Sequence, residues 1–250
     1  MGKYFNVEVK PTIVASTQTS AFAAGDILFD WASFQVPKGA NKLLATTVLV
    51  RGKDGADVAA KDTEFYFAKT KSGIAPSTLG AGNAAVDTAT QNGGQGWFQH
   101  LIGFQTFDVS SNNIGSSDDL VYMNMMQMPN RGGGQEIVLT GEPDSGDNVG
   151  FDTLYVAGIA QGAYDFASTI QCDGIQATSQ NLLTVKTTDP RNSFVPGDII
   201  HDENDRLMGT IQSVDSDTQL TMTSNLANAT VNNKDLYNLS PITIILSFER

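Results

Sequence analysis

FVPGDIIHDENDRLMGTIQSVDSDTQLTMT, residues 194–223, is the stretch whose reading decides the fold. Short apolar runs alternate there with acidic polar clusters, the pattern of half-buried strands joined by tight turns. Val195 is expected to start a strand, Pro196-Gly197 to bend it, and Asp198 to Ile200 to continue it. The chain then turns at Asp202–Asp205, returns over Leu207–Val214, turns again at Asp215–Asp217 and returns over Gln219–Thr223. With LLTVKT at 182–187 this makes a meander of about five strands, enough to close into a small β-barrel with its own core. The next apolar run, PITIILSF from Pro241 to Phe248, is longer than such a barrel needs. It is therefore expected to return to a sheet built earlier in the chain, which makes residues 166–240 an insertion.

Upstream, the same period of two recurs. YFNVEV (Tyr4–Val9) alternates until Pro11 breaks it, ILFDWASF (Ile27–Phe34) is an aromatic strand ending at Pro37-Lys38-Gly39, and LLATTVLVR (Leu43–Arg51) reads as a central strand followed by a turn at Gly52–Gly55. Further strands are expected at Thr63–Ala68, Trp97–Val109, Leu120–Met128, Glu136–Thr140 and Asn148–Ile159. Lys71–Gly96 lacks periodicity and reads as a long surface loop, and no stretch forms a convincing amphipathic helix. The predicted architecture is all-β: a jelly-roll-like β-sandwich over residues 1–165, closed by a strand in 241–250, with a small β-barrel inserted before the C-terminal strand. An immunoglobulin-like sandwich would carry a Cys-Trp-Cys signature that the sequence lacks.

Composition agrees. Only 17% of the 250 residues are charged, while Gly, Thr, Ser, Asn and Asp abound, as turns between strands require. A net charge of −12 repels phosphate backbones and no Lys/Arg cluster offsets it, which argues against nucleic acid as a partner. No apolar run approaches the length of a membrane helix and MGKYFNVEVKP lacks the apolar core of a signal peptide, so the expectation is a soluble chain made in a cytoplasm. Cys172, the one cysteine, can form neither an internal disulfide nor a cysteine-rich zinc site and is expected to be a small buried side chain.

The Phe194–Thr223 stretch, with Gly197-Asp198, Gly209-Thr210-Ile211 and Thr218 to Thr221, resembles small β-barrel modules of tailed-bacteriophage virion proteins. YFNVEVKPTI, GDILFDWASFQVPKGANKL and GFDTLYVAGIAQG look like the β-rich structural proteins of marine T4-like phages. The resemblance implies a capsid decoration or cement protein. Such a protein binds the major capsid protein on the outer surface of the head, is made in the host bacterial cytoplasm and works as a homo-oligomer, a trimer among the options. It supplies no catalytic residue and no cofactor. The alternative it leaves is a neck, tail or fibre protein that contacts host glycans, although the repeats and coiled-coil heptads common in fibres are absent.

Chemistry read residue by residue points the same way. Only His100 and His201 could serve a hydrolytic triad, and no G-x-S-x-G elbow accompanies them; His100 is expected on a strand face or edge. The glycine clusters at 93–96 and 132–134 lack the Lys and hydroxyl of a phosphate loop and read as loop tips. Carboxylates crowd three turns: Asp202, Glu203 and Asp205; Asp215 and Asp217; Glu142, Asp144 and Asp147. The first two turns hold the candidate Ca²⁺ ligands, but none has EF-hand spacing, and Asp and Asn also suit solvated turns. Trp31 and Trp97 could stack a sugar if exposed, but both sit in apolar strands where burial is commoner. The sequons at Asn228 and Asn238 carry no weight without a secretory signal. The expectation is a protein without enzymatic activity.

Two segments remain as interaction candidates. Tyr4, Phe5, Val7 and Val9 form a strand that either augments a partner's sheet or belongs to the protein's own sandwich. In Leu120–Met128, alternation puts Met123 and Met125 on one face and Met126 and Met128 on the other; either one pair packs inward and the adaptable thioethers of the other, Met126 and Met128, meet a partner, or the strand is buried between two layers.

Overall fold

The structure, a computed structural model, describes residues 3–51, 61–87, 96–108, 113–117, 120–126, 137–142 and 151–250. The turn expected at Gly52–Gly55, the glycine clusters at 93–95 and 132–134, and Met128, Asp144 and Asp147 lie outside the described residues. Before the insertion the strands are β1 (Tyr4–Val9), β2 (Ile27–Pro37), β3 (Asn41–Arg51), β4 (Thr63–Lys69), β5 (Leu101–Phe107), β6 (Asn113–Ser117), β7 (Leu120–Met126), β8 (Val138–Leu139) and β9 (Phe151–Ala160). Then follow β10 (Gln171–Cys172), β11 (Leu182–Lys186), β12 (Ile199–Asp202), β13 (Leu207–Ser216), β14 (Gln219–Met222), β15 (Leu236–Asn238) and finally β16 (Ile242–Glu249).

Every ladder is antiparallel. One sheet runs β1-β16-β3-β7-β6, with β8 pairing β3 beside it, and a second runs β2-β9-β4-β5. Leaving aside the additions β6 and β8, the sheets interleave as β1-β16-β3-β7 over β2-β9-β4-β5, the two-Greek-key order of a jelly roll. The apolar run at 241–248 does return to the first sheet: β16 lies between β1 and β3, with Ile244 opposite both Val9 and Val48. Ile242, Ile244, Leu246 and Phe248 turn inward onto Phe65, Phe67 and Phe107. Residues 171–238 form a separate sheet, β10-β11-β14-β13-β12-β15, whose ends are linked by a bridge between Gln171 and Asp235. That linkage nearly closes a barrel around Leu183, Val185, Ile200, Ile211, Leu220 and Met222.

Several boundaries differ from the sequence reading, each for a local reason. Trp97–His100 is a 3₁₀ turn and the strand begins only at Leu101, because Trp97 and Phe98 stack face to face at 3.8 Å instead of alternating across a pleat. Val195 starts no strand: the Asp198 carboxylate accepts the Val195 N–H at 2.9 Å, which curls 195–198 into a turn ahead of β12. The Asn-rich stretch before Pro241 contains β15, so the barrel has six strands, not five. One short helix, Ala15–Gln18, was not expected. Residues 71–87 are more than a surface loop, since Leu79 is fully buried with Ile27, Trp97, Ala157 and Ile159 in a small core on the outer face of the second sheet. Bulges in β2 between Ile27 and Phe29 and between Phe29 and Ala32 let consecutive apolar residues serve both layers, with Ile27 facing this outer core and Leu28 and Phe29 the inner one. Gly158 lies under the Phe29 ring, where a Cβ would come within 2.3 Å of Cε1.

Jelly roll and barrel meet at a polar joint. Arg51, at the end of β3, donates from Nη1 and Nη2 to the two Asp198 oxygens at 2.6 and 2.8 Å. Gln18 donates to the carbonyls of Ile13 and Asn238, Ile13 N–H to Leu239, and Ser16 N–H to the Asp205 carboxylate. Among the described residues, no helix is long and apolar enough to cross a membrane.

Candidate functional site

Strand β1 occupies the edge of its sheet, and its backbone polarity can be derived from one pair. Lys3 and Arg250 exchange both backbone hydrogen bonds, at 3.2 and 2.9 Å. The register from Tyr4–Glu249 to Val9–Ile244 then runs without a shift. In an antiparallel ladder such exchange recurs every second residue, so Phe5, Val7 and Val9 spend their amides and carbonyls on β16. Tyr4, Asn6 and Glu8 direct theirs to the open edge. The side chains divide by the same period. Val9 is buried, Phe5 stacks on Phe248 with ring centroids 5.2 Å apart, and Val7 packs against the core, whereas Tyr4 is 71% exposed and donates to Glu249 at 3.2 Å. The strand therefore belongs to the protein's own sandwich, and among the described residues its other edge pairs with no strand. Of its four named residues only Tyr4 is exposed, and the sequence reading passed over Asn6 and Glu8, which carry the free backbone groups.

Strand β2, the edge of the second sheet, runs beside β1 at this corner without pairing to it. Between them, Glu8–Thr12 and Asp30–Ser33 line a groove of about 430 Å³. Trp31 forms part of its wall and donates from Nε1 to the Ser77 carbonyl at 2.8 Å. Pro11, lacking an N–H, ends pairing past β1. On the other side of Glu8, Lys10 and Thr12 lies a second groove of about 460 Å³, with Leu49, Thr243 and Ile245 as its floor and Val195, Pro196 and Ile199 of the barrel as its wall. Its charges are matched internally, Lys10 to Glu8 at 2.9 Å and Arg51 to Asp198.

The methionine strand is β7. Met123 and Met125 are in register with Val48 and Thr46, and Met126 with Ala45, which separates Met126 from the other two by one step of the pleat.

Five of the turn carboxylates are engaged within the protein. Asp202, fully buried, accepts from Arg206 Nε at 2.8 Å and from the N–H groups of Asn204 and Arg206. Glu203 pairs with Lys234, and Asp205 takes the Ser16 N–H. Asp215 accepts the hydroxyls of Ser213 and Thr221, which hold its carboxyl below the usual range, the Thr221 bond contributing most. Glu142 is held low by the N–H groups of Gly73 and Ser72. These five hairpin carboxylates, with Asp217, do not converge, and no group of three or more metal-ligating side chains occurs among the described residues. His100 ends the 3₁₀ turn, with Nδ1 2.9 Å from the Lys69 carbonyl, and is not on a strand. His201 lies on β12 of the barrel. Trp97 is 3% exposed between Tyr66 and Phe98, so its face is closed to a sugar. Cys172 is fully buried in the barrel core, and burial pushes its thiol up to about 11.

The sequence reading missed the Arg51–Asp198 pair. Both residues flank turn signals, but 147 positions separate them, and only the return of β16 to the first sheet brings them together. No protein-family model matches the chain, and no curated protein matches it.

Proposed function

We propose that this chain is a structural protein of a bacteriophage particle, a decoration protein that binds the major capsid protein on the outside of the head and does so without catalysis. The observation that carries the reading is the open edge of β1, where the backbone groups of Tyr4, Asn6 and Glu8 are left for an added strand. The placement on a phage head rests on the resemblance of the barrel stretch and of the N-terminal segments to virion proteins. Strand addition supplies directional backbone hydrogen bonds at little conformational cost, because β1 is already held straight by β16. The acidic exterior, −12 overall, keeps crowded particles apart in solution.

Asn6→Pro is the test. It removes an N–H that points away from β16, so the protein's own ladder is untouched while an added strand loses a bond and meets the proline ring. Purified wild-type chain is expected to co-sediment with heads that lack it, and Asn6→Pro to bind at least about ten-fold more weakly, a loss of about 1.4 kcal/mol. Equal binding by both proteins removes β1 from the contact. Wild-type chain that associates with isolated tails and not with heads overturns the decoration reading in favour of a neck or tail protein.

A further inference from the structure

We infer that the joint between jelly roll and barrel contains a binding site for a single buried water molecule, held by Ser193 and Asn238. A cavity of about 20 Å³ lies there, bounded by Gln18 and Arg51 of the jelly roll, Ser193 and Asn238 of the inserted segment, and the rings of Phe166 and Tyr237. This is the space one water occupies, about 10–15 Å³ or more of probe volume, and too little for a larger ligand. The lining supplies the polar partners a water needs. Ser193 is 4% and Asn238 7% exposed, and the Ser193 Oγ and Asn238 Nδ2 atoms are both buried with no protein partner.

The Asn238 amide cannot escape by turning over. Its Oδ1 accepts the Ser240 N–H at 2.8 Å, and a flip would set an NH₂ against that N–H. Its own carbonyl is taken by Gln18 Nε2 at 2.9 Å. The donor that remains has no acceptor on the chain. The Ser193 main chain is held too, its N–H closing the Pro190–Asn192 turn on the Pro190 carbonyl. A water accepting from Asn238 Nδ2 and donating to Ser193 Oγ satisfies both atoms and ties the turn ahead of β12, at Ser193, to the end of β15, at Asn238. Arg51 lines this cavity and the 460 Å³ groove alike, so the water sits behind the Arg51–Asp198 pair and props the same joint.

A crystal structure of the wild-type chain at about 1.5 Å or better tests this. The expected result is one ordered water about 2.7–3.2 Å from both Ser193 Oγ and Asn238 Nδ2. A cavity without density, or a direct Ser193–Asn238 hydrogen bond, overturns the inference. In solution, Ser193→Ala is expected to lower the melting temperature by about 2–4 °C, and Ser193→Val, which fills the space and excludes the water, by more. Ser193→Val melting at or above the wild-type temperature overturns it as well, since a dry site gains from being filled.

Discussion

The jelly roll and the barrel solve the same problem with different side chains. Between its facing sheets the jelly roll is filled by rings: Phe22, Phe29, Phe34, Phe65, Phe67, Phe107, Phe166, Phe248 and Tyr164, several in edge or stacked contact at 5.4–6.1 Å. The barrel holds aliphatic and sulfur side chains with one ring, Phe194. Two sheets face each other across about 10 Å, a gap only long side chains bridge, whereas a barrel of six short strands has a narrow interior. Its tightness shows at Gly209, whose φ of +150° excludes other residues and where a Cβ would meet Met222 at 3.1 Å. The difference teaches that the two cores should not fail in the same way. A lost ring leaves a hole between stiff sheets, while short barrel strands can close around lost methyls.

The largest expected effect tests that directly. Phe65→Ala should cost about 3–5 kcal/mol and Leu220→Ala nearer about 2–3 kcal/mol in denaturant unfolding, because the penalty grows with the cavity that persists. A barrel variant as damaging as the ring variant would break the comparison. Next, Asp198→Ala strands Arg51 in a largely buried site and should cost about 3 kcal/mol. Because the pair belongs to both bodies, unfolding of that variant should show the barrel melting apart from the jelly roll; a single unchanged transition would mean the pair is dispensable to the joint.

Alkaline pH offers a third separation. Burial raises Cys172 in the barrel from 9.0 to about 11 and Tyr164 in the jelly roll from 10.0 to about 12. Both groups are neutral when protonated. A raised folded-state value therefore adds stability that is complete below the unfolded value and is lost as pH climbs to the folded one. Each shift corresponds to about 2–3 kcal/mol. Barrel stability should fall first, from pH 9 to 11, and Cys172→Ala should remove that part of the decline while leaving the later one, from pH 10 to 12, which Tyr164 shares with Tyr237 of the barrel, also raised by burial to about 12. An unchanged profile in Cys172→Ala would refute the assignment. The smallest effect concerns the acidic hairpins of the barrel. Since Asp202, Glu203, Asp205 and Asp215 are engaged by Arg206, Lys234, Ser16, Ser213 and Thr221, melting curves with calcium and with a chelator should coincide; a rise in melting temperature with calcium would make the hairpins a metal site.

Strand periodicity in the sequence was sufficient for the all-β class and for most strands, and the length of the apolar run Pro241–Phe248 for its return to the first sheet. Alternation is a local consequence of the pleat, so a run such as YFNVEV carries its own faces wherever it lies. The same logic failed at Trp97–His100, where ring stacking replaces alternation, and at Val195, where the Asp198 side chain competes for the backbone. The candidate site was legible only in part. Tyr4–Val9 could be named as a strand, but that Tyr4, Asn6 and Glu8 hold the free backbone groups follows from the phase of its ladder with β16, 245 residues away at Tyr4–Glu249.

What the sequence determined by itself is thus everything set by neighbours in the chain: strand faces, turns, net charge and the aliphatic or aromatic character of each core. Which edge stays open, the pairing of Arg51 with Asp198 and the meeting of Ser193 with Asn238 were decided by tertiary structure alone. These depend on register and on contacts between distant segments, and a hydrogen bond or ion pair is fixed by position in space, of which a single sequence holds no record.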